Sequence, residues 1–428
     1  MNETVRPTRF DKEYPELGTG PIPVAPFISQ EYFELERAHL FPNVWLHVGR
    51  TEELTEAGSF FVKDLDVPDV SLLIVRDKAG EVRAFHNVCS HRCNRVVRHR
   101  AGVAAQFACG FHGWIYGLDG KLVSVPDEQQ FFDLERAHYG LTPVACETWQ
   151  GFIFICLASE PLETLMSFLG DHFRALEGYP FARLQACFSW NTEIGCNWKL
   201  AQDAFQETYH VPYVHRHSIA DALTDGDNAV TYPIACRLNG YHRKTSVAGN
   251  PKTVYGNPKA VNDPNMKTYN NPDKPIGSAA LRAGVGGTRE QFDAEALPAG
   301  MNPARHPNWA FDINGVFPDF YLSLRPNYYQ AYNFRPLAVD RTRFEGRVYY
   351  PKMETAGGRF YQEYMKCVLR DVLLEDWSNL EVLQRSIASG AKREMVLQDN
   401  EILLRHSFHQ IDDYINARLT EQAGAERE

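Results

Sequence analysis

No run of roughly 18 apolar residues, the length a helix needs to cross a bilayer, occurs anywhere in the 428-residue chain. A membrane-spanning helix is therefore not expected. The first fifteen residues, MNETVRPTRFDKEYP, lack the apolar stretch of a secretory signal, so the expected address is the cytoplasm. Excess positive charge is also missing: 44 Lys and Arg stand against 54 Asp and Glu, for a net charge of -10. Nucleic-acid binding needs a basic surface, so the favoured partner is a small molecule or another protein. The nine cysteines are odd in number and scattered, which excludes a secreted disulfide framework. There is no internal repeat or low-complexity tract. The glycine-rich AGVGGT at 283–288 lacks the lysine of a phosphate loop. With no dinucleotide fingerprint, the chain has no means of taking hydride from NAD(P)H by itself.

The chain divides by pattern. The first forty residues read as a leading arm with a helix from about Gln30 to Leu40. Residues 41–160 contain short β-rich runs, SFFVKDL, SLLIVRD and GFIFICL, broken by turn signals at Lys78–Gly80 and Asp119-Gly120. From 161 to 428 a helical candidate at Trp198–His210 precedes the strand patterns FYLSLRP, YYQAYNFRP and RFEGRVYYP, with long helical patterns after Gly358. The expected class is α+β: an all-β domain followed by a domain with an antiparallel sheet closed by a terminal helix. Residues 249–308 hold 7 Gly, 8 Pro and 8 Asn in 60 positions, too many breakers for long elements. This insertion reads as a lid over a pocket or as a surface loop.

Within the β-rich domain, Cys89-Ser90-His91 and Cys109-Gly110-Phe111-His112 each offer one thiolate and one imidazole. A zinc finger pairs like ligands across a helix, whereas these pairs are mixed and sit among hairpin signals. Mixed pairing suits a cluster in which two Cys hold one iron and two His the other. NVCSHRCNRVV and CGFHGWIYGLDGKLVSVP resemble the two cluster-binding loops of Rieske domains in ring-hydroxylating oxygenase α subunits. Gly113-Trp114, Tyr116 and Asp119-Gly120 add to the likeness. One departure is Cys93, where the family commonly has glycine. It reads as a packing residue, and the other six cysteines as buried apolar side chains.

Further on, NWKLAQDAFQETYHVPYVHRHS is similar to the mononuclear-iron motif of the same family, which implies Glu207, His210 and His215 as its functional residues. On a continuous helix Glu207 and His210 would lie about 60° apart but His210 and His215 about 140° apart. Pro212 is the expected break that lets both imidazoles converge. Two imidazoles plus a carboxylate make the facial triad of non-haem Fe(II). LLEDWSNLEVLQRSI resembles the late helix that carries this carboxylate, which implies Asp376, with Glu375, Asp371 and Glu381 as competitors. Asp203, on the same stripe as His210, is expected to accept a hydrogen bond from it. Phe205, Val211, Ala222, Leu223 and Phe334 are candidate pocket walls, with core packing as the alternative. His217, His406 and His409 are read as packing or polar surface.

The resemblance implies a Rieske domain followed by a helix-grip (START-like) catalytic domain. It also implies a 2Fe-2S cluster that delivers electrons and a mononuclear Fe(II) that activates O2. Electrons would come from NAD(P)H through a separate reductase or ferredoxin. The implied assembly is a homotrimer, with or without a β subunit, in which His112 of one subunit meets Glu207 of the next. Many relatives have Asp where this chain has Glu207. The leading expectation is mono- or dioxygenation of an aromatic or comparably apolar compound. Oxidation of a non-aromatic substrate such as a quaternary amine is the alternative within enzymes, and a metal-stabilised carrier of an apolar ligand is the alternative outside them.

Overall fold

SFFVKDL and SLLIVRD each carry a short unbroken apolar run, FFV and LLIV, bounded by polar residues, the pattern of strands covered on both faces. In the computed structural model, which describes residues 9–253, 280, 297–326 and 328–425, they form the antiparallel strands Ser59–Leu65 and Val70–Arg76, with Phe61 opposite Ile74. These strands belong to a seven-stranded sheet in the unit Leu35–Phe168, which also holds a three-stranded sheet built from Phe107–Ala108, Ile115–Tyr116 and Leu122–Ser124. Phe60, Leu73, Val75 and Phe85 share one core with Cys89, Cys109, Trp114 and Tyr116. The two Cys-bearing loops are thus seated on the packed interior. The Asp119-Gly120 turn requires its glycine: Gly120 has φ 81°, and a Cβ there would lie 2.3 Å from the Phe85 ring.

The second unit joins the N-terminal stretch through Glu34 to Leu169 onward. The expected leading arm is part of it: Ile22 pairs with Met395, and the backbone N–H groups of Phe10 and Asp11 donate to the Asp399 carboxylate at 3.1 and 2.9 Å. FYLSLRP, YYQAYNFRP and RFEGRVYYP become Phe320–Leu324, Tyr329–Ala338 and Arg341–Tyr350, consecutive antiparallel strands of a second seven-stranded sheet.

A 33-residue helix, Ala356–Ala388, lies against that sheet. Its buried positions, 358, 361, 365, 369, 373, 376, 380, 384 and 387, recur every three or four residues, the spacing of one helical stripe. Leu373, Leu380 and Ile387 pack with Ile194, Tyr332 and Phe344, while Tyr361, Met365 and Leu369 pack with Val348 and Tyr350. Asp376 is the one acidic residue on this stripe. The antiparallel sheet gripped by a long helix is the α+β arrangement expected for the catalytic domain. Most of the 249–308 segment expected as a lid lies outside the described residues. Among the described residues no helix is long and apolar enough to cross a membrane.

Two local expectations change. The helix Trp198–His210 stops at Asp203. Pro212 does not break it but stands in the first turn of a separate helix, Val211–Val214, which His210 precedes and His215 follows. Proline is tolerated there because the first-turn N–H groups have no intrahelical acceptor. Cys156, Cys196 and Cys236 are buried as expected, but Cys367 is exposed, on the outer side of the long helix.

Candidate metal centres

The two loops of the first unit share one construction. Cys89 N–H donates to the Asn94 carbonyl and Cys93 N–H returns to the Cys89 carbonyl, at 2.8 and 3.0 Å. Cys109 N–H donates to Trp114 and Gly113 N–H to Cys109 at the same two distances. The fourth residue after each cysteine takes a left-handed turn, φ 55° at Cys93 and 72° at Gly113. Glycine adopts this conformation without steric cost, so Cys93 occupies a turn position, exposed to solvent.

The Cys89 and Cys109 thiols are buried and interact directly, and the His91 and His112 rings lie 4.5 Å apart between centroids. His91 stacks on Trp114 at 5.0 Å, and its Nδ1 is buried without a hydrogen-bond partner. Burial, with His112 and Arg92 nearby, pushes the His91 imidazole down in pKa, so it stays neutral as a metal ligand must. Burial also resists the Cys109 thiolate, but the Phe111 N–H and the Asn94 amide outweigh it and lower its pKa. For Cys89 burial prevails and raises it. Tyr116 accepts the Ser90 N–H at 3.0 Å and is left to donate to Cys89 Sγ at 3.1 Å. Among the described residues these four donors do not gather at one point as a mononuclear site requires. Paired sulfurs, paired imidazoles and the partnerless Nδ1 fit a two-iron cluster with sulfur at one iron and nitrogen at the other.

In the second unit one donor atom each from His210, His215 and Asp376 lies within 4.8 Å of the others. The two Nε2 atoms are 3.2 Å apart, and Asp376 Oδ1 is 3.2 Å from His215 Nε2 and 3.7 Å from His210 Nε2. Each imidazole is oriented from its other nitrogen. His210 Nδ1 donates to Glu207 Oε1, and His215 Nδ1 donates to Glu375 Oε2 at 2.9 Å. A carboxylate on Nδ1–H leaves Nε2 as a lone-pair donor and raises its basicity. Burial pulls the His210 pKa down, but Glu207 and Asp376 overcome this and raise it. The donor set, two imidazoles and one carboxylate with room on one side, is that of a mononuclear non-haem iron site.

Of the competing acids, Asp371 and Glu381 are exposed, and Glu375 holds an imidazole instead of joining the triad. Asp203 does not orient His210, because both ring nitrogens are already committed. It meets Gln206 Nε2 at 3.3 Å, and burial pushes its carboxyl pKa up to about 8 against the pull of Arg243 and Lys199. Phe205, Val211 and Leu223 line a cavity of about 100 Å³ beside the triad, along with Ser323, Arg325, Gln330 and Tyr332. Ala222 and Phe334 do not. Ala222 is sealed in the core with Tyr328 and Tyr350, and Phe334 lies behind Phe205, whose ring centroid is 5.2 Å away. The sequence pattern missed Arg325, Gln330 and Tyr332, although Gln330 and Tyr332 follow the two-residue alternation of their strand. His217 is exposed on a surface groove, and His406 is buried, with Nε2 2.9 Å from the Gly240 carbonyl.

Comparison with known proteins agrees with this geometry. Residues 44–145 match the model of the Rieske [2Fe-2S] domain, and residues 181–417 match that of the ring hydroxylating alpha subunit (catalytic domain). The chain is 32% identical over 214 residues to the glycine betaine monooxygenase oxygenase subunit of Pseudomonas aeruginosa, covering 50% of this chain and 48% of that one. It is 30% identical over 226 residues to the chloroplastic choline monooxygenase of Beta vulgaris, covering 51% and 50%. The chain thus spans about half the length of these curated relatives. Naphthalene 1,2-dioxygenase from Rhodococcus sp., bound to indole, superimposes with a TM-score of 0.71 at 20% identity, covering 95% of this chain and 96% of that one.

Proposed function

The chain belongs to the ring-hydroxylating α-subunit family with an N-terminal Rieske domain, and from that premise we propose that it is the oxygenase component of a multi-protein system. It oxidises a small aromatic or comparably apolar molecule with O2, using electrons that a separate reductase or ferredoxin draws from NAD(P)H. The observation that carries this reading is the convergence of His210, His215 and Asp376 beside a cavity. A 2Fe-2S cluster held by Cys89, His91, Cys109 and His112 supplies single electrons, and an iron held by His210, His215 and Asp376 supplies O2 activation.

The protein's own groups prepare the site. Glu207 and Glu375 keep the two imidazoles in one tautomer with Nε2 directed at Asp376. Phe205, Val211, Leu223 and Tyr332 line the cavity and give the space beside the triad an apolar wall. Glu207 retains some solvent exposure, which supports an assembly in which it meets His112 of a neighbouring subunit. A homotrimer, with or without a β subunit, is part of the proposal.

The names of the relatives favour a second reading, oxidative attack on a methylated amine, with which Glu207 is also compatible. The test is anaerobic purification followed by iron and acid-labile sulfide analysis and EPR of the dithionite-reduced protein. Three irons and two sulfides per chain with a rhombic Rieske signal, together with reductase-dependent O2 uptake, are expected. Zinc without sulfide would overturn the assignment and favour a ligand carrier. Product analysis separates a hydroxylated ring from formaldehyde.

A further inference from the structure

Tyr332 lines the cavity beside the triad from the strand Tyr329–Ala338, two residues after Gln330 and on the same face of that strand, and it is 2% exposed. Its ring is held on several sides. The ring centroids of Phe205 and Phe344 are 5.2 and 5.3 Å away. Gly346 is its neighbour on the next strand, where a Cβ would lie 3.3 Å from Tyr332 Cδ1, so glycine leaves the room that the ring edge occupies. A ring wedged in this way carries its hydroxyl to one place.

A buried tyrosine hydroxyl ordinarily finds a hydrogen-bond partner. That of Tyr332 makes no hydrogen bond among the described residues, yet it is not one of the unpartnered polar atoms sealed from solvent. The small surface that Tyr332 leaves open therefore includes the hydroxyl, and the space it borders is the cavity. Arg325, Tyr328 and Asp376, whose charges act on the phenol, line the same cavity. Burial pushes the phenol well up in pKa, with Arg325 opposing and Tyr328 and Asp376 adding. The group stays protonated at any ordinary pH and is free to donate. Other polar side chains of the wall are engaged within the fold. Thr208 donates to the Thr231 carbonyl at 2.5 Å, Ser323 accepts from Arg325 at 2.9 Å, Glu207 holds His210, and Asp376 faces both imidazoles.

We infer that the Tyr332 hydroxyl is the donor that orients the substrate, and that the substrate is a compact, largely apolar molecule bearing an uncharged oxygen acceptor such as an ether or ketone. Asp376 acts on the same phenol, and its charge disfavours an anionic acceptor there. Phe205, Val211 and Leu223 supply apolar wall. One oxygen docked on Tyr332 leaves the rest of the molecule against that wall and decides which carbon is presented to the triad. A cavity of about 100 Å³ is smaller than the roughly 300–1,000 Å³ of pockets for drug-sized ligands, which favours one ring or less. This inference deepens the proposed oxygenase function and rests on it for the reaction, but the binding contact is tested without turnover.

The experiment is anaerobic calorimetry on the purified holoprotein and on Y332F with two probe pairs in which an oxygen takes the place of a carbon in the same shape, anisole against ethylbenzene and cyclohexanone against methylenecyclohexane. In at least one pair Y332F is expected to bind the oxygen member about three- to tenfold more weakly, the range of one net hydrogen bond, with the hydrocarbon member unchanged. Because the hydroxyl has no partner in the fold, the thermal midpoint, iron content and cluster EPR signal of Y332F should match those of the wild type. In both pairs, equal weakening of the two members or no weakening of the oxygen member would overturn the inference. So would a markedly lower thermal midpoint for Y332F, or a wild-type protein that binds none of the four probes. If the selective loss appears in a protein without cluster or iron, the substrate contact stands and the oxygenase reading falls. If cluster and iron are present without it, the reverse holds.

Discussion

Glu375 and Asp376 are consecutive on one helix yet engage the two nitrogens of a single imidazole: Glu375 Oε2 lies 2.9 Å from His215 Nδ1, and Asp376 Oδ1 lies 3.2 Å from His215 Nε2. A step of about 100° around the helix separates them, which turns Asp376 onto the buried stripe and leaves Glu375 at its edge. In the proposed iron site one acid would bind the metal and the other would hold a ligand of that metal.

Substitution at the two positions should therefore differ in kind. Asp376→Ala is expected to lose the mononuclear iron and abolish turnover while the cluster EPR signal persists. Glu375→Gln should retain a site with affinity or activity lowered by about 10–100-fold, the usual effect of losing a ligand's hydrogen-bond partner. Iron-to-sulfide ratios measured after dialysis distinguish the two, and equal iron loss in both variants would contradict the assignment.

Tyr116 donates to Cys89 Sγ, and a hydrogen bond to a cluster sulfur stabilises the more negative, reduced state. Tyr116→Phe should make the cluster potential more negative. A bond worth about 1–1.5 kcal/mol corresponds to roughly 40–60 mV for one electron. Redox titration followed by EPR measures the shift. An unchanged potential would show that the hydroxyl does not reach the sulfur.

Lys244 and Asp312 are a fully buried ion pair, 2.8 Å apart. Ser246 Oγ and Trp309 Nε1 also donate to Asp312, at 2.6 and 2.9 Å. Asp312→Ala leaves a buried ammonium unpaired and should destabilise the fold by about 3–5 kcal/mol. The paired change Lys244→Met with Asp312→Leu should cost less than Asp312→Ala alone. Urea unfolding of the three proteins is the check.

Two histidines, the half-buried His172 and the buried His406, set an acid limit. Burial lowers the His172 pKa to about 4 and the His406 pKa to about 3. Both are neutral in the fold, and in the unfolded chain they take up a proton near the ordinary value of about 6.5. Their contribution to stability is complete above that value and is lost as pH falls toward the folded values, by roughly 1.4 kcal/mol per pH unit for each. His406→Gln should flatten the decline between pH 6 and about 4 in thermal-unfolding series. An unchanged slope would mean that His406 is protonated in the fold.

The cluster loops were legible because their donors are close in sequence. Cys89 with His91, and Cys109 with His112, are each held by a short loop whose hydrogen bonds close within a few residues. His210 and His215 were legible for the same reason, although by different local geometry: two turns flanking a four-residue helix, not a kinked long one. Asp203 was misread because a helical stripe was extended past the point where the helix ends. Ala222 and Phe334 were misread because apolar character does not distinguish a cavity wall from the layer behind it.

The sequence alone determined the ligand types, their local spacing and the periodicities that produce an antiparallel sheet and one long amphipathic helix, since these depend on neighbours a few residues apart. Tertiary structure decided which carboxylate of the late helix meets the imidazoles, which one orients His215, and that Arg325 and Gln330 share a cavity with residues more than a hundred positions away. Those choices depend on how a helix face is turned against a sheet, and packing between distant segments sets that rotation.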